Sequence, residues 1–323
     1  MKTVGIVGGS GYTGGELIRL IINHPKLKIK FVYSTQFSGD YLFKIHKDLL
    51  GLTILKFTNI PEKEIDVLFL CAGHGNSLKF LKKNKFLKTT KIIDLSNDFR
   101  IRKNNELNNL KFIYGLPELN KETIKKANAI ANPGCFATAI QLSLIPMAKH
   151  NLIKDTIHVN ATTGSTGAGM KNSDTTHFSW RNNNISWYKA FNHQHLLEIN
   201  QTLNGLNQKS KLIFIPQRGN FTRGIFSTSY TKYSGDLNEI KKIYKNYYKN
   251  HPFTEISDEE ISLKSVINTN NCYIHLCKHE NILLITSIID NLTKGASGQA
   301  LQNLNLMMNW DENLGLKLKA SIY

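Results

Sequence analysis

The sequence predicts an α/β fold in two domains, a parallel-sheet domain followed by an α+β domain, on three observations. Up to residue 131, short β-branched runs alternate with stretches of helical periodicity. A glycine cluster stands directly between the first such run and the first helix. Beyond residue 135 the alternation gives way to longer runs of period-2 character. The length agrees, since 323 residues with 41% hydrophobic content are more than one small core requires.

Lys2 to Val7 reads as a short strand, followed at once by Gly8-Gly9-Ser10-Gly11-Tyr12-Thr13-Gly14 and then by helical spacing from Gly15 to Ile22. Strand, glycine turn and helix in that order are the context of a dinucleotide site. Gly11 and Gly14 allow close backbone approach, and the helix N-terminus receives a pyrophosphate. Gly8, Ser10, Gly11, Tyr12, Thr13 and Gly14 are therefore the candidate cofactor-binding residues of a Rossmann-type domain. Lys28 to Tyr33 is the second strand. It ends in Ser34-Thr35-Gln36, with no Asp or Glu to grip a ribose 2′-hydroxyl, so Ser34 and Thr35 favour NADP over NAD.

Strands are predicted at Val67 to Cys71 and Lys91 to Leu95, each followed by a polar loop. Loops after strand C-termini line the ligand crevice of an open parallel sheet, so Arg100 is placed to hold an anionic substrate group bidentately. His74 reads as a loop-packing histidine. Tyr114 to Asn120 is a turn and helix start, and Ala127 to Ala131 is the last strand of this domain.

Next comes Asn132-Pro133-Gly134-Cys135-Phe136. Pro133 and Gly134 end the strand, and apolar residues from Phe136 to Leu144 fall near a 3.6-residue period, so a helix begins at Cys135. A thiol there meets unpaired N–H groups and the positive end of the helix dipole, which stabilise its thiolate and suit a developing oxyanion. The competing reading is a buried, unreactive cysteine. Its position at the C-terminal edge of the sheet, on the cofactor side, favours the nucleophile.

In the second domain strands are predicted at Thr156 to Thr163, Lys211 to Pro216, Ile225 to Tyr233, Ser262 to Asn268, Cys272 to Cys277 and Ile282 to Ile289. The loop Thr162 to Gly169, containing Ser165, either cradles substrate through backbone N–H groups or is a flexible turn. His193 and His195 lie two apart and cannot share a helix face, which disfavours a metal pair. His195 and Glu198 are three apart and do share one, so Glu198 can orient the imidazole of an acid/base histidine. Gly295 to Met308 has helical spacing and is expected to return to the first domain.

Other classes fit less well. Four scattered cysteines give no disulfide framework, and the pair Cys272 and Cys277 has no second pair to complete a metal site, so no metal is expected. Met1-Lys2-Thr3 runs straight into the first strand, without a signal peptide, and no apolar stretch approaches the ~20 residues of a membrane span. A cytoplasmic protein without membrane contact is expected. The net charge of +17 raises the question of nucleic acid. The lysines, however, are interleaved with asparagine and isoleucine, and the runs Lys79 to Lys91 and Lys241 to Lys249 read as solvated helix faces. No nucleic-acid partner is expected, while anionic small molecules would be steered inward.

Taken together, GGSGYTGGEL at 8–17, IIDLSNDFR at 92–100, YGLPELN at 114–120, NPGCFATA at 132–139, GSTGAG at 164–169, HQHLLEI at 193–199 and NLTKGASGQALQNLNLM at 291–307 resemble the N-acetyl-γ-glutamyl-phosphate reductases. These are the arginine-biosynthesis branch of the semialdehyde dehydrogenase superfamily. The resemblance implies an NADP-binding Rossmann domain at 1–134 plus 296–323, and a catalytic and oligomerisation domain at 135–295. The assembly it implies is a homodimer or homotetramer. It assigns the nucleophile to Cys135 and the acid/base to His195, with His193 in reserve. Gly298 goes to the cofactor side, and Arg100, Asn132, Ser165, His193 and Glu198 to the substrate side. The partners implied are an acyl phosphate and inorganic phosphate. The chain departs from the family pattern at Ser34-Thr35, where the 2′-phosphate grip lies, and at Gly169-Met170, Leu197 and 216–224 on the substrate side, which leaves the N-acyl group open between acetyl and succinyl. Aspartate-semialdehyde dehydrogenase, with the same chemistry on a shorter substrate, is the neighbouring alternative.

Overall fold

The computed structural model describes residues 1–170, 172–206 and 209–323. The chain divides into two compact units, Met1–Pro133 with Ala296–Lys317, and Gly134–Gly295 with Leu318–Tyr323.

The first unit is built on β1 (Lys2–Val7), β2 (Leu27–Tyr33), β3 (Phe57–Thr58), β4 (Val67–Leu70), β5 (Lys91–Asp94), β6 (Glu106–Leu107), β7 (Leu110–Tyr114) and β8 (Ala129–Ala131). They form one sheet in the order β3-β2-β1-β4-β5-β8-β7-β6, parallel except for the β6–β7 hairpin. Helices α1 (Tyr12–Ile22), α2 (Leu42–Ile45), α3 (Asn76–Lys83) and α4 (Pro117–Lys125) connect the strands. From β1 the chain first builds to one side, through β2 and β3, and then to the other, through β4 and β5. The turn after β1 therefore sits at the switch point, where open α/β sheets bind ligands. The β6–β7 hairpin lies in an Asn-rich stretch. Its turn residues Asn108 and Asn109 both have positive φ, 49° and 64°, the conformation a two-residue hairpin turn demands and asparagine tolerates.

The second unit contains β9 (Ile157–Thr163), β10 (Ser186–Trp187), β11 (Leu212–Arg218), β12 (Ile225–Lys232), β13 (Thr254–Ser257), β14 (Cys272–His279) and β15 (Ile282–Ile289). Their mixed sheet runs β10-β11-β9-β12-β15-β14-β13, as expected of an α+β domain. Its helices are α5 (Cys135–Lys149), α6 (Phe178–Arg181), α7 (His195–Gly205) and α8 (Leu237–Tyr248). Helix α5 is buried from Phe136 to Ala148 and packs on β12 and β15. Pro146 inside it has no N–H and frees the carbonyl of Leu142, which accepts instead from the Tyr248 hydroxyl of α8. The strand expected at Ser262 to Asn268 is absent: Leu263–Ser265 is a 3₁₀ turn. Short-range bonds Ser265 N to Ser262 O and Val266 N to Leu263 O hold the turn, and Asn268 has φ +67°. Cys272 and Cys277 are an odd number apart on β14, one buried and one exposed, so they point to opposite faces.

The chain then returns to the first unit as α9 (Gly298–Met307), buried throughout and packed on α1 and α4. Two of its buried amides donate to the segment that follows: Gln302 to Glu312 at 2.7 Å, and Asn305 to the carbonyl of Leu314 at 2.8 Å. The last six residues, Leu318–Tyr323, go with the second unit, whereas the sequence reading kept them with the first. Ser321 donates its N–H to the Ile267 carbonyl at 3.2 Å and accepts from the Asn268 amide at 2.6 Å.

Candidate active site

In the first unit the glycine turn is set by backbone contact. Gly8 has φ +77°, and a Cβ on it would lie 2.6 Å from the main chain of Cys71; one on Gly14 would lie 2.6 Å from the Gly8 carbonyl. Gly11 precedes α1, and a Cβ there would meet nothing closer than 3.8 Å. No side chain caps the first turn of α1, which begins Tyr12-Thr13-Gly14, so its amides face outward with the positive end of the helix dipole. Ser34 is buried at the end of β2 with its Oγ 3.4 Å from that of Ser10, and Thr35 beside it is exposed. A cradle of glycine backbone with no carboxylate at the strand end fits a dinucleotide bearing a 2′-phosphate. Gly298 is the buried first residue of α9, and the preceding Ser297 hydroxyl donates to the Thr13 carbonyl at 2.8 Å, tying α9 to this turn.

The substrate roles expected of Asn132 and Arg100 meet a different arrangement. Asn132 is fully buried. Its Nδ2 donates to the Ala296 carbonyl at 3.1 Å and its Oδ1 accepts from Asn303 at 3.0 Å, so both ends of the amide are engaged within the unit. Arg100 is buried as well, giving Nε to the Asn132 carbonyl at 2.8 Å and an Nη to the Leu95 carbonyl at 2.9 Å. Both residues brace the turn that leads into Cys135. Beneath them lies Asp94, whose pKa is raised to about 6 by desolvation, opposed by the Ser77, Ser96 and Arg100 side chains.

In the second unit Cys135 is the first residue of α5, partly exposed, behind Gly134 in extended conformation. Glu198, in the first turn of α7, is buried and bridges two groups. Its Oε2 accepts the Gly134 N–H at 3.1 Å, and its Oε1 lies 3.8 Å from His195 Nε2. The i, i+3 pair read from the sequence is thus formed, and it also anchors the start of the helix carrying Cys135. His193 precedes α7, and its Nδ1 accepts the His195 N–H at 3.2 Å. It is boxed edge-on by Phe136, Tyr188 and Phe214, with centroids 5.4 to 5.7 Å away. Desolvation, and next the Lys189 charge, lower its pKa to about 4. Neutral, with one nitrogen occupied, His193 is a poor acid/base group and a good spacer behind His195.

The backbone N–H groups of the Ser165 loop are engaged within the protein. The N–H groups of Gly164, Ser165 and Thr166 go to the carbonyls of Gly224, Phe221 and Thr222, and those of Gly167 and Gly169 close turns within the loop. A Cβ on Gly164 would lie 2.5 Å from the Thr222 carbonyl, so the glycines serve loop-to-loop packing.

Sequence reasoning missed several neighbours. Gly295 presses on the thiol residue: a Cβ on it would lie 2.8 Å from that of Cys135. Its N–H is held by the Asp290 carbonyl at 2.9 Å, and the Asp290 carboxylate forks onto Arg223 at 2.9 and 3.1 Å. The motif at 291–307 contained Gly295, but only the contact shows its purpose. Tyr188, Arg181 and Arg218 gave no signal in sequence. The Arg218 guanidinium stacks 3.9 Å from the Tyr188 ring. The Tyr188 phenol is pushed up by desolvation and then by the Cys135 charge.

The chain matches the semialdehyde dehydrogenase NAD binding domain over residues 3–127 and the semialdehyde dehydrogenase dimerisation domain over 135–291. It is 56% identical over 325 residues to the N-acetyl-gamma-glutamyl-phosphate reductase of Christiangramia forsetii, covering 100% of both chains. It is likewise 56% identical to that of Flavobacterium johnsoniae over 323 residues, 99% of each. Among solved structures it is similar in fold to aspartate semialdehyde dehydrogenase II of Vibrio cholerae, with a TM-score of 0.72 at 16% identity over 96% of this chain and 98% of the other. The NADP-bound aspartate semialdehyde dehydrogenase of Candida albicans gives 0.68 at 13% identity, over 97% and 99%.

Proposed function

The chain belongs to the semialdehyde dehydrogenase family, and on that premise we propose that it reduces N-acetyl-γ-glutamyl phosphate to N-acetylglutamate semialdehyde and phosphate, a step of arginine biosynthesis, through a thioester on Cys135. The observation that carries the mechanism is the single carboxylate of Glu198, which joins the N-terminus of α5 to His195.

In this reading the Cys135 thiol gives its proton to His195, and Glu198 balances the charge of the imidazolium. The thiolate sulfur bonds to the γ-carbonyl carbon, the carbon–oxygen bond to phosphate breaks, and phosphate leaves. The N-terminus of α5, with the positive end of the helix dipole behind it, receives the oxyanion. Gly8, Ser10, Gly11, Tyr12, Thr13 and Gly14, with Ser34, Thr35 and Gly298 beside them, would hold NADPH, which would supply the hydride for reduction of the thioester. His195 steadies the resulting alkoxide until the carbon–sulfur bond breaks to aldehyde and thiolate. Asn132 and Arg100 position the turn before Cys135, and Ser165 contributes on the substrate side from its loop. A thioester accepts hydride where a carboxylate, by resonance and charge, resists it.

We assign cofactor binding to 1–134 with 296–317, and catalysis and oligomerisation to 135–295, in a homodimer or homotetramer. Four thiols without a disulfide fit a reducing, cytoplasmic setting, and among the described residues no helix is long and apolar enough to cross a membrane. The test is phosphate-dependent oxidation of N-acetylglutamate semialdehyde with NADP. Cys135→Ser abolishes it while retaining NADPH binding; substantial turnover by that variant refutes the covalent step.

A further inference from the structure

Two arginines of the second unit have no part in the chemistry above. Arg181 ends α6 and is 7% exposed. One Nη donates to the Thr163 carbonyl at 3.4 Å, while its Nε and other Nη meet no hydrogen-bond partner among the described residues. Arg218 ends β11, where it pairs with Thr163 of β9 on one side and with Ser186 of β10 on the other. Strand register thus sets Arg218 beside Thr163, whose carbonyl Arg181 reaches from α6, the charge of Arg218 acts on Arg181, and the Arg218 guanidinium lies over the Tyr188 ring.

A buried cation with two idle donors, next to a second cation, is costly as it stands. Burial, and then the Arg218 charge, pull the Arg181 pKa down, as expected of a group missing its counter-ion. An anion relieves both penalties, and a guanidinium fork matches the planar geometry of a carboxylate. The place is also right. Tyr188 packs against His193, which packs against Phe136, the residue after Cys135.

We infer that Arg181 and Arg218 form a carboxylate-binding subsite of the Cys135 site, reading a substrate carboxylate away from the reacting carbon. The inference rests on the reaction proposed above for the identity of the substrate. Two sources supply that chemistry: the α-carboxylate of the glutamyl unit, or the terminal carboxylate of a dicarboxylic N-acyl group such as succinyl.

N-acetylglutamate and N-succinylglutamate, which cannot turn over, are titrated calorimetrically into wild type, Arg181→Gln and Arg218→Gln. KM values are measured for the two semialdehydes and for phosphate. Each variant weakens binding and raises the semialdehyde KM about 10–100-fold, the worth of a charged hydrogen-bond pair, without a matching rise in the KM for phosphate. Equal losses on both ligands identify the α-carboxylate; a loss confined to the succinyl compounds identifies the acyl carboxylate. Unchanged Kd and KM, or an effect confined to phosphate or to kcat, overturns the subsite. Arg218, partly exposed on a strand, decides the matter if the Arg181 variant does not fold. If wild type binds the acids yet oxidises neither semialdehyde, the proposed reaction fails and the subsite stands on the binding arm.

Discussion

At the scale of single residues, chemistry here is sorted by surroundings. Cys71 and Cys135 are both thiols near strand ends, but desolvation and the Asp94 charge drive the Cys71 pKa up and leave it inert. Cys135 stands instead at a helix start with a carboxylate-linked imidazole in the adjoining helix. His193 and His195 are divided the same way. Held neutral with a pKa near 4, His193 binds fewer protons in the native state than in the unfolded chain, where histidine titrates near 6.5. Its contribution is complete above about pH 6.5 and is lost as pH falls toward 4, by up to about 3 kcal/mol. Buried Asp94, raised to about 6, acts with the opposite sign, losing stability as pH rises from about 4 to 6. The expected result is therefore a difference: between pH 6.5 and 5 the melting temperature of wild type falls more steeply than that of His193→Asn. Parallel melting curves would show that the box around His193 does not exclude its proton.

At the scale of elements, α7 holds α5 through one side chain. Glu198→Gln keeps an acceptor for the Gly134 N–H and loses the charge opposite His195, whereas Glu198→Ala loses both. Both variants should lower kcat, by about 10–100-fold if the charge acts as described. Only the alanine should lower stability, by about 1–3 kcal/mol, because it strands a buried donor. Urea midpoints beside kcat values separate the two effects, and an equally unstable glutamine would remove the argument. Glu198 was legible because its partner His195 lies one helical turn away, and the glycine turn and most strands were legible because their signals are local. The structural contacts of Asn132 and Ser165 were not legible for the complementary reason. Their partners Asn303 and Phe221 lie far along the chain, and polar residues near a motif look like ligands until those partners are seen. Arg181 and Arg218 went unread because they are far apart in sequence and meet only where α6 and β11 both come up against Thr163 of β9. Ser262 to Asn268 has strand composition, but its hydrogen bonds close locally as turns.

At the scale of the whole molecule the charge has a function to perform. Lys and Arg outnumber Asp and Glu by 41 to 24, giving +17, and both substrate and phosphate are anions in the proposed reaction. Many of the acids are paired on the surface, as in Lys245–Asp258 and Arg19–Asp48, where each pair contributes little to stability. The unbalanced lysines instead set a positive field that raises the encounter rate of anions with the protein. Such a field acts over the screening length, which shrinks from roughly 30 Å at 0.01 M ionic strength to roughly 8 Å at 0.15 M. Across that range kcat/KM for the acyl phosphate, and for phosphate in the reverse direction, should fall several-fold while kcat changes little. The sign follows from where each constant is set: kcat/KM contains the approach of an anion through solvent, and kcat only steps inside the site. A kcat/KM independent of salt, measured with a non-binding electrolyte, would mean that the surplus lysines are mere composition.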